Sequence, residues 1–351
     1  MTEQSSAIHA SDRYFMMLAI EEAKRGLYTA RPNPAVGCVL VKDGQIVGKG
    51  FHPKAGKGHA EVYALAEAGD AAMGATAYVT LEPCSHTGRT PPCAKALIAA
   101  QVARVVIAGL DPNPQVSGRG VAMLEAAGIQ VTVGVMTAQA EALNTGFLKV
   151  MRTQMPYVRL KIATSLDGRT AMADGSSKWI TSDAARQDVQ HLRARSGAIV
   201  TGSQTVIADN PALNVRSLQL GVDMSSIPQP KVVILDRRHR LALADDSAYQ
   251  LCRKEDTVFW RTDDLTTLLQ DLVHTHHCHD VLVEAGAQVA GSFLAQGLVD
   301  ELIVYQAPCL LGDAARPMVD YHPLSLTEQL RFDCSSHERI GNDIKMVFKP
   351  L

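Results

Sequence analysis

Two α/β domains in tandem are what this sequence predicts, and three observations predict them. Strand-like and helix-like runs alternate along nearly the whole chain, the pattern of layered α/β folds. The alternation closes on a helical run, "AQAEALNTGFLKVM", and starts afresh after Pro156 with "MPYVRLKIATSLDG". The 351 residues suffice for two units that each bury a core. The expected domains are residues 1–150 and 151–351.

The elements follow in order. "SDRYFMMLAIEEAKRGL" has apolar residues at helical spacing after a Ser/Asp start and ends at Gly26. "CVLVKDGQIVGKGF" is two β-rich runs around Asp43-Gly44, a hairpin signal. "HAEVYALAEAG" predicts a helix closed by Gly69, "ATAYVTLEP" a strand, and "PCAKALIAAQ" a helix opened by proline. "RVVIAGL", "GRGVAMLEAAG", "IQVTVGV" and "AQAEALNTGFLKVM" continue as strand, helix, strand and helix. Beyond Pro156, strand-like "AIVTG", "KVVILD", "TVFW", "DVLVEAG" and "ELIVYQAP" alternate with helical "SDAARQDVQHLRARSG", "LTTLLQDLVHTHH" and "QVAGSFLAQG". "SLQLGVDMSSIPQP" predicts a loop, and the C-terminal run two strands joined at Gly341-Asn342.

Composition narrows the class. Charged residues are 20% and hydrophobic residues 46%, with a net charge of −2. That is a globular balance without the whole-chain basic excess of a nucleic-acid binder. The N-terminus has no basic-then-apolar leader, and no apolar run approaches the roughly 18 residues of a membrane span. A cytoplasmic protein without nucleic-acid or membrane partners is expected. In a reducing compartment the seven cysteines point to metal or catalysis before disulfides.

Cys84 and Cys93 raise that question most directly, each following a proline in "LEPCSHTGRTPPC". A disulfide, a redox couple, part of a metal site and coincidence are all open. Upstream, "GHAEVYAL" places His59 and Glu61 at the start of a predicted helix, and helix starts beyond strand ends form the usual ligand crevice of α/β sheets. Zinc takes imidazole and thiolate ligands, and a catalytic zinc keeps one position for water. One His and two Cys leave that position open, and Glu61 is placed to take and return the water's proton. This is the H-x-E…P-C-x-x-C arrangement of zinc nucleobase deaminases, with eight residues instead of two between the cysteines. A structural zinc would want a fourth ligand, for which His52 or His86 is available. His52, Lys57, His86 and Arg89 could also bind an anionic substrate.

"RPNPAVGCVLV", "GHAEVYAL", "LEPCSHTGRTPPC" and "GLDPNPQVSGRG" together resemble the deaminase half of the bifunctional riboflavin-biosynthesis deaminase–reductases. The long cysteine spacing belongs to that family's own motif. The resemblance, over roughly residues 12–146, implies a cytidine-deaminase-like three-layer α/β/α domain. It makes His59, Cys84 and Cys93 the zinc ligands, Glu61 the proton shuttle and Asn33 a substrate contact.

The second domain lacks G-x-G-x-x-G after its first strand, so a Rossmann dinucleotide site is not indicated. In "VEAGAQVAGSFLAQG", Gly286 and Gly291 mark a strand-to-helix turn that could face a phosphate, or simply pack closely. "LKIATSLDGRTA", "SKWITS", "VTGSQTVIADNPALNVR" and the "VEAG" segment are similar to the reductase half of the same family, in the same order. That similarity implies a dihydrofolate-reductase-like α/β domain using NADPH. It assigns Ala163, Trp179, Thr205, Asp209 and the stretch Gly286, Ala287, Gln288, Val289, Ala290, Gly291 and Ser292 to the cofactor. It assigns Ser177, Arg193, Leu213, Arg216 and Glu284 to the substrate.

Arginine's planar fork suits a sugar phosphate, so Arg193 and Arg216 are expected phosphate partners. Lys161, a charge in an apolar strand, is expected to polarise the sugar carbonyl or donate a proton, with Asp209 assisting. One departure stands out: where the family has Pro/Gly-Thr/Ser-Leu after "VEAG", this chain has Ala287-Gln288-Val289, which removes a hydroxyl at 288. "HTHHCH", His274 to His279, is expected to be a solvated surface tract despite its metal-binding composition.

The expected activity is therefore bifunctional, a zinc-dependent pyrimidine deamination followed by NADPH-dependent reduction, in a homodimer as the family implies. Two other readings compete. A nucleic-acid-editing deaminase would need a basic aromatic groove, which 5% aromatic residues and the net charge oppose. A non-catalytic zinc-stabilised binding module would have no use for Glu61.

Overall fold

The computed structural model describes residues 10–85, 92–113, 117–243 and 248–351. The chain divides into two compact units, Met1–Thr153 and Gln154–Leu351. The expected boundary at 150 falls inside a helix that continues to Thr153.

The first unit runs α1 (Ala10–Lys24), β1 (Gly37–Lys42), β2 (Gln45–Phe51), α2 (Ala60–Ala68), β3 (Thr76–Val79), α3 (Cys93–Ala99), β4 (Arg104–Ile107), α4 (Arg119–Ala126), β5 (Gln130–Val133), α5 (Thr137–Glu141) and α6 (Thr145–Thr153). The sheet order is β2-β1-β3-β4-β5. β1 is antiparallel to both its neighbours, and β3, β4 and β5 are parallel. Strand residues alternate between two covered faces. Cys38 and Leu40 of β1 meet Ala60 and Ala64 of α2, Leu97 of α3 and Leu124 of α4. Val39 and Val41 meet Met16, Ala19 and Ile20 of α1. The result is three layers, and each fully buried aliphatic side chain is worth about 1.5–3 kcal/mol.

Two local features set the geometry around the site. A Cβ on Gly50 of β2 would lie 2.3 Å from the Ala60 carbonyl oxygen, so only glycine lets α2 pack this closely on the strand. The single helix expected over "AQAEALNTGFLKVM" is instead two, α5 and α6. Asn144 makes the break, because its side chain accepts from Ala35 N (2.8 Å) and donates to Ala35 O (2.9 Å). This ties down the backbone two residues after Asn33.

The second unit runs β6 (Tyr157–Thr164), β7 (Arg169–Ala171), α7 (Asp183–Arg195), β8 (Ala198–Gly202), α8 (Ser203–Asp209), β9 (Lys231–Leu235), α9 (Arg240–Leu243), β10 (Val258–Trp260), α10 (Leu265–His274), β11 (Asp280–Val283), α11 (Ala287–Ala295), β12 (Glu301–Gln306), β13 (Arg316–Pro317), β14 (Phe332–Ile340) and β15 (Asp343–Pro350). Eight strands form one sheet in the order β10-β9-β8-β11-β6-β12-β15-β14. Six are parallel, and β15 is antiparallel to β12 and β14. Val158, Leu160 and Ile162 of β6 pack under α10 and α11. The opposite face carries Ile199, Leu282, Ile303 and Tyr305 under α7. The expected loop over "SLQLGVDMSSIPQP" contains two short 3-10 turns, Leu218–Leu220 and Met224–Ser226. Among the described residues, no helix is long and apolar enough to cross a membrane.

Candidate functional site

The first site is built from two helix starts and one loop. His59 is the N-cap of α2, Glu61 is the second residue of that helix, and Cys93 is the first of α3. Cys84 follows β3 in the connecting loop, where its sulfur accepts from Cys93 N at 3.2 Å. His59 Nδ1 lies 3.2 Å from Cys93 Sγ and 3.6 Å from Cys84 Sγ. All three donor atoms lie within 4.8 Å of one another. Tetrahedral zinc with bonds of about 2.3 Å to sulfur and about 2.0–2.1 Å to nitrogen needs N–S separations of about 3.6 Å. One ion fits between these atoms, with a fourth position left for water.

Cys84 is pushed down to about 4, first by a hydrogen bond from the Cys93 thiol, against burial, and then by His59 and the Cys93 N–H. The same thiol–thiolate hydrogen bond, with burial, pushes Cys93 up. The two sulfurs thus behave as one thiolate and one thiol, and a metal would displace the second proton. Glu61 is 3% exposed, and its Oε2 has no hydrogen-bond partner. Burial raises its carboxyl above the ordinary range, with its own N–H and His59 opposing. A buried oxygen left unsatisfied beside a metal-type cluster is suited to a proton that arrives with substrate and water.

His52 is not a ligand. Its Nδ1 is 2.9 Å from Gly58 O, which can only accept, so Nδ1 carries the hydrogen. Its Nε2, 3.0 Å from Asn33 Nδ2, therefore accepts from the amide. This fixes the Asn33 orientation and leaves its carbonyl oxygen for a ligand. The His52 ring stands edge-on to His59, with centroids 5.4 Å apart. His86 and Arg89 lie outside the described residues, as do positions 114–116 of "GLDPNPQVSGRG".

Sequence reasoning missed Glu82. Its buried carboxylate accepts from the backbone N–H groups of Asp111 (3.2 Å), Gly118 (3.0 Å), Gly120 (2.9 Å) and Val121 (3.3 Å). The loop between β4 and α4 is thereby anchored two residues from Cys84. A Cβ on Gly120 would lie 2.1 Å from Pro83 O, so the glycine in "GRG" is required for this contact. The readable signal was an acid between Leu81 and Pro83 at a strand end.

In the second unit an ionic cluster occupies the α7 face of the sheet. Arg193 of α7 donates twice to Glu284, at 2.7 and 3.0 Å, and once to Asn214 O at 3.3 Å. Burial would raise the Glu284 carboxyl, but Arg193, then Lys161 and Arg216, hold it below its ordinary value. Lys161 is lowered by burial, with Glu284 opposing and Arg193 assisting. The carboxylate acting on Lys161 is thus Glu284. Asp209 instead accepts from Ser177 Oγ at 3.3 Å, and its backbone oxygen from Lys178 Nζ at 3.0 Å.

Leu213 adopts φ 42°, turning the chain between the carbonyls that Lys254 and Arg193 hold. Ala163 lies on β6 in register with Tyr305. Thr205 lies on α8. Trp179 is 67% exposed, with the Arg186 guanidinium 4.4 Å from its ring centroid. Gly286 caps α11 with open space where a Cβ would be, leaving room for close backbone approach. Gly291 differs: its Cβ would lie 1.9 Å from Asp320 O, so that glycine serves packing. Ala287 O accepts from Asp320 N, and Gln288 O from Ser292 Oγ at 2.9 Å. Val289 packs against the core, and Ala290 is buried within it. Among the described residues, His59, Cys84 and Cys93 form the metal-type cluster, and the His274–His279 tract does not contribute to one.

A His/Cys/Cys triad with a buried glutamate on a mixed five-stranded sheet defines a zinc-dependent deaminase in the first unit. Residues 9–109 match the family model for the cytidine and deoxycytidylate deaminase zinc-binding region. Residues 156–346 match that of the RibD C-terminal domain. The chain belongs to the riboflavin biosynthesis protein RibD family of bifunctional deaminase–reductases. It is 48% identical to the riboflavin biosynthesis protein RibD of Haemophilus influenzae, over 97% of this chain and 98% of that one. It is also 48% identical to that of Escherichia coli, over 95% and 98%.

Among solved structures, Acinetobacter baumannii RibD is 53% identical with a TM-score of 0.91, covering 97% of this chain and 99% of that one. A diaminohydroxyphosphoribosylaminopyrimidine deaminase/5-amino-6-(5-phosphoribosylamino)uracil reductase from Thermotoga maritima is 33% identical with a TM-score of 0.85, at the same coverage. The expected fold classes hold for both units, and zinc and NADPH are the cofactors of this family.

Proposed function

We propose that the first unit deaminates 2,5-diamino-6-ribosylamino-4(3H)-pyrimidinone 5′-phosphate at its zinc site. The second unit then reduces the ribosyl chain of that product to give 5-amino-6-(5-phospho-D-ribitylamino)uracil. The observation that carries this reading is the unpartnered Glu61 Oε2, buried beside three ligand atoms that leave one metal position open.

Zinc held by His59, Cys84 and Cys93 would supply a water acidic enough to attack at neutral pH. Glu61 takes that water's proton and passes it to the departing amine, which leaves as ammonia. Asn33, oriented by His52, presents its carbonyl oxygen to an N–H of the pyrimidine. In the second unit bound NADPH would supply the hydride that reduces C1 of the ribosyl group. Lys161, whose proton burial loosens, donates to the ring oxygen as the sugar opens, and Glu284 keeps it charged beforehand. Gly286, Ala287 and the following residues to Ser292 line the cofactor with Ala163, Trp179, Thr205 and Asp209. Ser177, Leu213, Arg193, Arg216 and Glu284 hold the substrate.

The ligands are small molecules, and the chain works as a homodimer in the cytoplasm; light scattering of the purified protein reads the dimer directly. The function is tested by following ammonia and NADPH in one cuvette with the diamino substrate. Ammonia release that precedes NADPH loss is expected. Ammonia without NADPH loss would remove the reductase half, and NADPH loss without ammonia the deaminase half.

A further inference from the structure

Three cationic heads converge on a stretch of five residues after α8. Lys254 Nζ donates to Ala212 O at 2.9 Å, Arg193 Nη1 to Asn214 O at 3.3 Å, and Arg216 Nη1 to Asn214 Oδ1 at 3.0 Å. Lys254 comes from a segment fastened to the start of the same loop. Gln250 N donates to Asn210 Oδ1 at 2.9 Å, Asn210 Nδ2 to Ala248 O at 3.4 Å, and Leu251 is fully buried. Lys254 is therefore held at the loop from both ends of a short tether.

The charges do not balance. Glu284 is committed to Arg193 by two hydrogen bonds. Among the described residues, neither Arg216 nor Lys254 is in an ion pair. Burial, then the charge on Arg193, lowers the proton affinity of both. Clustered cations without counterions repel one another, and the arrangement is stabilised when an anion enters. The two cations at this loop, Arg216 and Lys254, match one phosphate dianion, while Lys161 shares Glu284 with Arg193 on the strand beside it. Lys254 spends one of its three N–H donors on Ala212 O and keeps two for a ligand. Arg216 contributes a planar fork, and Lys254 a point charge.

We propose that Lys254 is a substrate-binding residue that forms, with Arg216, the subsite for the phosphate of the reductase substrate. Arg193, neutralised by Glu284, forms the wall behind it. Lys254 is thereby the residue through which the second unit prefers a phosphorylated sugar over its dephosphorylated form. The proposal rests on the reductase reading above.

The test compares kcat/KM for the deaminated substrate with and without its 5′-phosphate, in the wild type, Lys254→Ala and Lys254→Arg. Loss of one charge-assisted contact should lower the ratio of the two kcat/KM values about tenfold in Lys254→Ala, through KM, and Lys254→Arg should restore most of it. An unchanged ratio overturns the proposal, whether both forms lose activity equally, as a mere prop for Ala212 would require, or neither does. A second measurement needs no turnover: protection of the full chain against thermal unfolding by inorganic phosphate. Wild type protected more than Lys254→Ala supports the subsite, and equal protection overturns it. A wild type that shows the phosphate effect but oxidises no NADPH would sink the reductase reading alone.

Discussion

Replacing Glu284 with Gln tests whether the ionic cluster of the second unit is as buried as the structure places it. The side chains of Arg193 and Glu284 are 10% and 9% exposed, so solvent screens the pair little. Charges about 4 Å apart attract by about 4 kcal/mol at an effective dielectric of about 20. Removing one partner of such a pair also strands the other, and typically costs about 3–5 kcal/mol. Here Lys161 and Arg216 would be left beside the stranded guanidinium, which places the loss toward the upper end. In a unit of this size that lowers the unfolding midpoint by about 10 °C.

The assay is thermal and urea unfolding of Glu284→Gln, Arg193→Met and the double variant. The double variant should recover part of the loss, because no guanidinium is left stranded beside Lys161 and Arg216. The pH dependence follows from the depressed Glu284 carboxyl. Its contribution is present above the unfolded value of about 4.3 and is lost as pH falls through the folded value. The gap between wild type and Glu284→Gln should therefore shrink below about pH 4. A Glu284→Gln loss under about 1 kcal/mol, or a double variant no better than the sum of the singles, would refute the reasoning.

The other predictions are briefer. Glu61→Ala should retain zinc, measured by metal analysis, while ammonia release falls about 10²–10⁴-fold; Cys84→Ala should lose both. Normal deamination by Glu61→Ala would end the proton-shuttle assignment. A chelator should stop ammonia release yet leave NADPH oxidation intact when deaminated substrate is supplied. Lys161→Met should remove the alkaline fall in reductase kcat, which in the wild type should lie below the ordinary lysine value because burial lowers this ammonium. Glu82→Ala should destabilise the first unit by about 3 kcal/mol, since four backbone donors lose their acceptor, and a change under about 0.5 kcal/mol would show the anchor to be dispensable.

What the sequence made legible was local. His59 and Glu61 share one helix start, and Cys84 and Cys93 each follow a proline at a strand-to-helix turn, so residue type and spacing carried the chemistry. Strands covered on both faces, such as β1 and β8, read as apolar runs because every residue in them meets a helix layer. The break between α5 and α6 was not legible. A helical pattern spans it, and the cause is a pair of hydrogen bonds from Asn144 to a residue 109 positions earlier. Glu82 escaped for the same reason, its partners lying 29 to 39 positions downstream. The pairing of Arg193 with Glu284 spans 91 positions, and Lys254 reaches Ala212 across 42. Periodicity reports which face of an element is apolar, whereas the partner of a buried charge depends on which distant strand and helix the topology brings over that face. Motifs can therefore name a metal site from one short stretch, but the charge balance of an anion site becomes visible only when the sheet is assembled. Lys254 belongs to the second kind: its own surroundings, "CRKEDT", carry no motif, and only the loop it fastens and the counterion that Arg193 already occupies give it a role.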